Sequence, residues 1–187
     1  MSQALSRSAE KLGCSERTLR RYVNEGLLRG RRVGSQLEMS RAEEEYLGVH
    51  WPLLSRLRVA LRTEPAIRLA VLFGSTAIGE DDDDSDVDLL VSHRNPEPLV
   101  LAGVRLRMRR ALDRSVDVVA LEDAETMPTL LADVLSEGRV LVDRDGLWAS
   151  LQERHAEIVA AAEREDRATA ARTWAVVTEA RERIAAA

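Results

Sequence analysis

Three acidic side chains interrupt apolar, strand-length runs in the middle of the chain, and this pattern limits the folds open to it. Asp86 and Asp88 flank a valine at the start of one apolar run, and Asp117 lies between two valines of another. A third apolar run, 67–73, precedes both. Because side chains alternate along a strand, Asp86 and Asp88 should share one face while Val87 points into the core. The pattern predicts a small sheet with carboxylates on one face.

The segments around these runs predict helices that flank the sheet. Residues 99–112 form an amphipathic pattern with arginines on one side, and 130–135 form a helix that ends at Gly138. A short strand, 140–142, follows. Residues 147–186 read as two helices separated near Glu165 and Asp166. We therefore predict an α+β or α/β fold with a small mixed sheet and flanking helices.

The N-terminal segment predicts a second, mainly helical unit. Residues 8–13 suit a short helix that ends at a glycine, and Ser15 suits the N-cap of a helix over 16–24. Residues 28–37 are short, basic and broken by glycines, which favours a small β-wing.

A third N-terminal helix and the domain boundaries follow from capping and proline positions. Ser40 and Glu43 form a capping-box pattern, and Pro52 should end or kink the helix that they open. A further helix should continue to about Arg62, before the boundary at 63–65. We assign 1–48 to the N-terminal module, 52–145 to a central domain and 146–187 to C-terminal helices. Those helices either pack on the central domain or dock a partner through a stripe of Ala170, Trp174, Val177 and Ile184.

Composition and charge narrow the classes of protein. Cys14 is the only cysteine, which excludes an internal disulfide and a cysteine-based zinc site. No run approaches 18 apolar residues, so we expect a cytoplasmic protein without membrane association. Residues 1–41 hold nine basic and four acidic side chains, whereas the remainder holds 18 basic and 28 acidic ones. This asymmetry predicts a basic head that contacts nucleic acid and an acidic body that does not.

The three carboxylates and the residues that end the first apolar run together suggest an enzyme that binds a phosphate group and catalyses substitution at phosphorus. Three carboxylates on one face repel one another unless a cation lies between them, and Mg²⁺ prefers oxygen ligands. Two such ions, about 3.5–4 Å apart, can clamp the attacking and leaving oxygens of a phosphoryl substitution. Gly74 and Ser75 end the first run, where backbone N–H groups and a hydroxyl can donate to a phosphate.

The string Gly74-Ser75, ten residues, then Asp86-Val87-Asp88, with Asp117 later, resembles the nucleotidyltransferase superfamily that includes polymerase beta. Within it the chain is most similar to the minimal nucleotidyltransferases of prokaryotes. Ser85 and the stretch 135–142 also fit that subgroup, and the resemblance covers about residues 52–145.

The resemblance implies an activity and a role for each motif residue. A nucleoside monophosphate passes from ATP or another NTP to a hydroxyl, and pyrophosphate leaves. Asp86 and Asp88 bind both of two Mg²⁺ ions, while Asp117 holds the ion at the attacking hydroxyl and helps to take its proton. The nucleotide contacts are assigned to Gly74, Ser75 and Ser85.

Two features depart from the family pattern. Members often carry arginine at the position of Ile78, so a positive charge is missing there. The acidic run Asp81–Asp84 would repel phosphate if it faced the site. We interpret this run as a solvated loop tip.

Four polar side chains of the predicted helix 16–24 recur at i, i+3, i+4 and i+7 and therefore share one face: Arg17, Arg20, Arg21 and Asn24. Such a face can read guanine edges and phosphates in a major groove. Three arginines of the predicted wing would add contacts to the DNA backbone: Arg29, Arg31 and Arg32.

The stretch Ala9–Leu28 resembles the winged helix-turn-helix of MerR-family regulators. The resemblance implies sequence-specific DNA binding, usually by a dimer. The metal-sensing cysteines of some MerR proteins have no counterpart here. A solvated, arginine-rich helix on a protein-docking module is the alternative interpretation.

The favoured function is an antitoxin that adds AMP to a neighbouring gene product, because minimal nucleotidyltransferases are often paired with HEPN-domain toxins. The N-terminal module would bind operator DNA and so regulate the operon that encodes the antitoxin and the neighbouring gene product. Three alternatives stay open: a small-molecule enzyme that resembles aminoglycoside nucleotidyltransferases, a transcription regulator that only senses nucleotide, and a nucleotidyltransferase toxin.

Overall fold

A computed structural model describes residues 3–34, 36–82 and 84–185. The elements in chain order are α1 Gln3–Lys11, α2 Glu16–Asn24, β1 Arg31–Val33, β2 Gln36–Glu38, α3 Arg41–Arg62, β3 Ile67–Phe73, α4 Ser75–Ile78, β4 Val87–His93, α5 Pro98–Leu112, β5 Val116–Ala120, α6 Leu121–Ala124, α7 Pro128–Glu137, β6 Arg139–Asp143, α8 Leu147–Glu153 and α9 His155–Ala185.

The predicted small mixed sheet is confirmed. Its strand order is β5-β4-β3-β6, with β4 parallel to β5 and the other two pairs antiparallel. Alternate residues of each strand enter two apolar layers. One layer joins the sheet to α3 and α5 through Leu57, Leu61, Val87, Leu89 and Met108. The other joins it to the C-terminal helices through Leu69, Val71, Leu90, Leu131 and Ile158.

Both predicted N-terminal helices form, and the second matches its prediction more closely than the first. Helix α2 has the predicted bounds, and its N-cap hydroxyl on Ser15 accepts a hydrogen bond from the Thr18 N–H at 3.1 Å. Helix α1 begins at Gln3, earlier than predicted. Strands β1 and β2 pair antiparallel inside the segment predicted as a wing, in which Ser35 lies outside the described residues.

The helix does not end at Pro52, which was one of the two predicted outcomes, because α3 is one helix of 22 residues with the proline inside it. An interior proline removes a hydrogen bond and costs about 3 kcal/mol. Pro52 is exposed, however, and the buried stripe of Leu47, Leu54 and Leu61 continues past it on the opposite side. This burial offsets the lost bond, so the expected boundary between the module and the central domain falls within a helix.

The capping box predicted at the start of α3 is half formed. The Ser40 hydroxyl accepts from the Glu43 N–H at 3.1 Å, as expected. The Glu43 carboxylate does not reach back to the cap; it forms a bidentate pair with Arg139 of β6, at 2.7 and 2.9 Å. Both side chains are at most 3% exposed. An ion pair in the core thus replaces a local contact at a helix end.

The C-terminal helices divide earlier than predicted. Helix α8 ends before Arg154, and α9 then runs through Glu165 and Asp166 without a break. The turn at Arg154 allows Leu151 and Ile158 to pack in the same apolar layer. Of the proposed stripe, Ala170, Trp174 and Val177 are exposed, and the Ile184 side chain lies outside the described residues. None of the helices described is long and apolar enough to cross a membrane.

We predict that Arg139→Ala lowers the free energy of unfolding by about 3–5 kcal/mol, because it leaves the Glu43 carboxylate buried without its partner. The matched control is Arg41→Ala on α3, the helix that carries Glu43, which removes an exposed i,i+4 pair with Glu45. The control should cost less than about 1 kcal/mol. Urea unfolding of the two variants measures the difference. Equal losses of unfolding free energy would show that the buried pair contributes no more to stability than the exposed pair.

Candidate active site and nucleic-acid interface

The three predicted carboxylates converge at one end of β4 and β5. Asp88 and Asp117 are register partners on these parallel strands, and Asp86 immediately precedes β4. Burial raises the pKa of the Asp88 carboxyl, and the negative charges of Asp117 and Asp86 raise it further. The repulsion expected from the sequence is therefore present, and it is centred on Asp88.

Position 74 requires a glycine, because a side chain there would collide with the Asp88 carboxylate. Phe73, the last residue of β3, is the register partner of Asp88, and the next residue, Gly74, has a φ of 71°. A Cβ atom at Gly74 would lie 2.4 Å from the Asp88 Oδ2 atom. Any other residue would thus be strained and would displace the carboxylate, so the glycine brings backbone and carboxylate together.

The one-turn helix α4 follows Gly74 and carries Ser75. Its second residue, Thr76, is buried, and the Thr76 hydroxyl donates to the Asp86 carbonyl at 3.3 Å. This bond joins the proposed phosphate-binding turn directly to the residue that precedes β4. The turn and the first carboxylate are therefore held as one unit.

The donor chemistry of the three aspartates fits a hard divalent cation, although they do not form a closed cage. Within the described residues, no three acidic, histidine or cysteine side chains are already grouped closely enough to enclose a metal ion. The Asp117 carboxylate lies 3.4 Å from Arg105, and both side chains are about half exposed. Oxygen ligands whose charges repel one another are suited to Mg²⁺, which would relieve that repulsion.

The hydroxyl of Ser85, a predicted nucleotide contact, is engaged within its own loop. It donates to the Asp82 carboxylate at 2.7 Å and accepts from the Asp82 N–H at 3.0 Å. Ser85 thus closes the turn that leads into Asp86. The nucleotide contact assigned to Ser85 stays a prediction.

The acidic run is not uniformly a solvated loop tip. The Asp81 side chain is only 6% exposed, and it binds His50 at 2.7 Å and Arg114 at 3.0 Å. Burial raises the pKa of Asp81, but the hydrogen bonds from His50 and Arg114 outweigh it and leave the pKa below its usual value. Asp82 and Asp84 are exposed, as expected, and Asp83 lies outside the described residues.

Arg114 and His50 are site-supporting residues that the sequence analysis missed. Besides Asp81, the Arg114 guanidinium donates to the Ser85 carbonyl at 2.7 Å and therefore fixes the loop before Asp86. Both partners lie about thirty residues from Asp81 along the chain. No local pattern reveals such contacts, which depend on the strand order.

The predicted arginine face is present on α2. Its four polar members, Arg17, Arg20, Arg21 and Asn24, are all exposed. Two of the arginines pair along the helix, Arg20 with Glu16 at 3.4 Å and Arg21 with Glu25 at 3.6 Å. Such exposed pairs are weak, so these guanidinium groups remain accessible to an anionic partner.

The three wing arginines differ from one another. Arg31 and Arg32 are exposed on β1, and the Arg32 guanidinium donates to the Asn24 side chain at 3.4 Å. The Arg29 guanidinium instead donates to the Glu137 carbonyl at the end of α7, at 2.6 Å. Arg29 therefore joins the module to the central domain, whereas Arg31 and Arg32 extend the face of α2.

Comparison with known proteins agrees with this geometry. Residues 56–146 match the family described as polymerase beta, nucleotidyltransferase. No curated protein sequence matches the chain.

Several solved structures share the fold. A chain of a toxin–antitoxin complex with AMP-PNP is 23% identical with a TM-score of 0.55, covering 65% of this chain and 98% of that chain. A chain of the MntA–HepT toxin–antitoxin complex is 21% identical with a TM-score of 0.50, covering 65% and 96%. A chain of a tri-AMPylated Shewanella oneidensis HEPN toxin in complex with MNT antitoxin is 21% identical with a TM-score of 0.50, covering 65% and 95%.

The matched segment contains the turn at Gly74, all three aspartates and the four-stranded sheet on which they lie. The sequence motif and the four-stranded sheet thus both lie within the segment that matches the family. Residues 56–146 therefore form a nucleotidyltransferase domain of the polymerase beta kind.

Proposed function

We propose that the protein is a Mg²⁺-dependent nucleotidyltransferase that moves AMP from ATP to a hydroxyl of a partner protein, and that it acts as a DNA-binding antitoxin. The observation that carries the catalytic part is the convergence of three carboxylates on Asp88, directly beneath the turn at Gly74. The structures that share the fold include a complex with AMP-PNP and one with an AMPylated HEPN toxin, which supports the choice of nucleotide and acceptor.

Each residue of the site has a defined part in the proposed transfer. The backbone N–H groups at Gly74 and Ser75 donate to the triphosphate, and Asp86 and Asp88 hold the cations that accompany it. Two Mg²⁺ ions, when bound, neutralise the phosphates and stabilise the charge of the leaving pyrophosphate. The acceptor oxygen forms a bond to the α-phosphorus while the bond to the β-phosphate oxygen breaks. Asp117 takes the proton of the acceptor hydroxyl.

The acceptor side of the site is open, which favours a protein acceptor over an enclosed small molecule. β5 is an outer strand of the sheet, and the Asp117 side chain on it is 49% exposed. A cleft of about 500 Å³ lies beside this strand, bordered by Pro98, Leu101, Arg105 and Val118. A protein segment can lie along such an edge and deliver a side-chain hydroxyl to Asp117.

The acidic character of residues 42–187 disfavours nucleic acid as the acceptor, because its phosphates would meet net negative charge. The N-terminal module has the opposite charge, and its exposed arginine face supports DNA as its ligand. An antitoxin with this module would regulate its own operon. A homodimer would suit a palindromic operator.

We predict that ATP binds only when Mg²⁺ or Mn²⁺ is present, because the carboxylates otherwise repel its phosphates. Calorimetric titration with and without EDTA measures this dependence. The combined variant Asp86→Asn and Asp88→Asn should lose metal-dependent binding, whereas Asp84→Asn, an exposed acid of the preceding loop, should not. Tight binding in EDTA that the double variant retains would contradict the site.

We predict that the arginine face of α2 binds DNA upstream of the operon. Each bidentate arginine–guanine contact contributes about 1–3 kcal/mol of discrimination, so replacing Arg17, Arg20 and Arg21 with alanine should abolish a footprint there. Replacing three exposed arginines outside the module, Arg94, Arg109 and Arg110, with alanine is the control for net charge. An unchanged footprint in the α2 variant would assign DNA binding to another surface.

We predict that the purified protein transfers radiolabelled AMP from ATP to the product of the adjacent gene, on a hydroxyl such as that of tyrosine. Asp86→Asn should abolish labelling because it removes a metal ligand, whereas Asp84→Asn should not. Label on aminoglycosides or tRNA, and never on the neighbouring protein, would refute the antitoxin role while leaving the chemistry intact.

A further inference from the structure

The turn that would hold the nucleotide has little stability of its own. Helix α4 has only four residues, and glycines with positive φ values, 71° at Gly74 and 84° at Gly79, flank it. A single helical turn is unfavourable in isolation, because nucleation fixes several residues for one hydrogen bond. Contacts from outside α4 must therefore set its position.

Two side chains from other elements bind the carbonyl groups of α4. The Tyr46 hydroxyl of α3 donates to the Thr76 carbonyl at 3.1 Å, and the Arg139 Nε of β6 donates to the Ala77 carbonyl at 2.7 Å. Thr76 and Ala77 are fully buried, so water does not compete for these bonds. The far end of the turn is thus fixed, while its near end lies against Asp88.

The two donors also hold each other in place. The Arg139 guanidinium lies 3.6 Å from the centroid of the Tyr46 ring, and it forms the bidentate pair with Glu43 one helical turn before Tyr46. Burial raises the pKa of Tyr46 to about 12. The charge of Arg139 lowers this pKa and the neighbouring acids raise it, but both effects are smaller than that of burial. The phenol therefore keeps its proton and stays a donor at all pH values at which the protein would work.

This cluster extends into the N-terminal module. The Glu43 carboxylate accepts from the Arg29 N–H at 2.9 Å, and Arg139 also donates to the Leu27 carbonyl at 3.4 Å. Leu27 and Arg29 connect α2 to the wing. The contacts that fix α4 are therefore shared with the segment that follows the arginine face.

We propose that Tyr46 and Arg139 are positioning residues for the nucleotide, which hold α4 so that Gly74 and Ser75 meet the triphosphate beside Asp88. Neither residue touches the reacting atoms, and Tyr46 lies outside the segment that matches the nucleotidyltransferase family. This inference rests on the proposed function, since it assigns the supports of the same nucleotide site.

Tyr46→Phe is the test, because it removes the bond to the Thr76 carbonyl while keeping the ring that packs on Arg139 and stacks on His50 at 4.3 Å. We expect the Kd for ATP with Mg²⁺ to rise about three- to tenfold, the range for one lost hydrogen bond. Calorimetry is done on the full chain, well below the unfolding midpoint of each variant. Circular dichroism verifies that each variant is folded at that temperature.

The matched control is Tyr22→Phe, the same change at a half-buried tyrosine that contacts Trp51 and Arg58 instead of α4. Its Kd for ATP should equal that of the wild type, even if its thermal midpoint falls as far as that of Tyr46→Phe. Equal Kd values for wild type and Tyr46→Phe would overturn the positioning role. A wild type that fails to bind ATP with Mg²⁺ would instead refute the proposed function.

Discussion

The buried pair of Arg139 and Glu43 connects more of the structure than any other polar contact described here. Removing two charges from water is costly, and the cost is offset only when geometry and further hydrogen bonds are favourable. Both conditions hold: the pair is bidentate, and Arg139 also donates to carbonyls of α4 and of the loop after α2. The β6 strand, α3, the one-turn helix α4 and the N-terminal module therefore meet at one guanidinium group.

At the active-site end of the sheet, two other features matter. Carboxylates repel one another there, and the backbone of the neighbouring turn lies very close to one of them. Register places Asp88 beside Asp117, and the lack of a side chain at Gly74 lets the backbone come up to the Asp88 carboxylate. Other acidic groups nearby have partners, as Asp81 does in the Arg114 guanidinium and the His50 ring. Arg105 pairs with Asp117, but the negative charges of Asp117 and Asp86 still raise the pKa of Asp88, so the repulsion is concentrated on that carboxylate.

Elements set by local interactions could be predicted from the sequence, whereas those set by contacts between distant residues could not. Strands β3, β4 and β5 and helix α2 were predicted within two residues, because apolar periodicity and the Ser15 cap are local signals. The continuous α3 was missed because packing along Leu54 and Leu61 overrides the local effect of Pro52. Glu43 was assigned to a capping box because its true partner, Arg139, is 96 residues away. The site motif could be located from sequence, but its supports could not.

One shared core explains how a basic module and an acidic enzyme domain can coexist in a short chain. Leu19 and Leu27 of the module belong to the same apolar cluster as Leu57 and Leu89 of the central domain. The Gly26 carbonyl accepts from the Val140 N–H of β6 at 3.0 Å, so the end of α2 is fixed against an outer strand of the sheet. The module is therefore packed against the central domain and is not merely joined to it by a linker. Its arginine face is held by the same packing that holds the catalytic sheet, and a substitution in that shared core should affect both surfaces together.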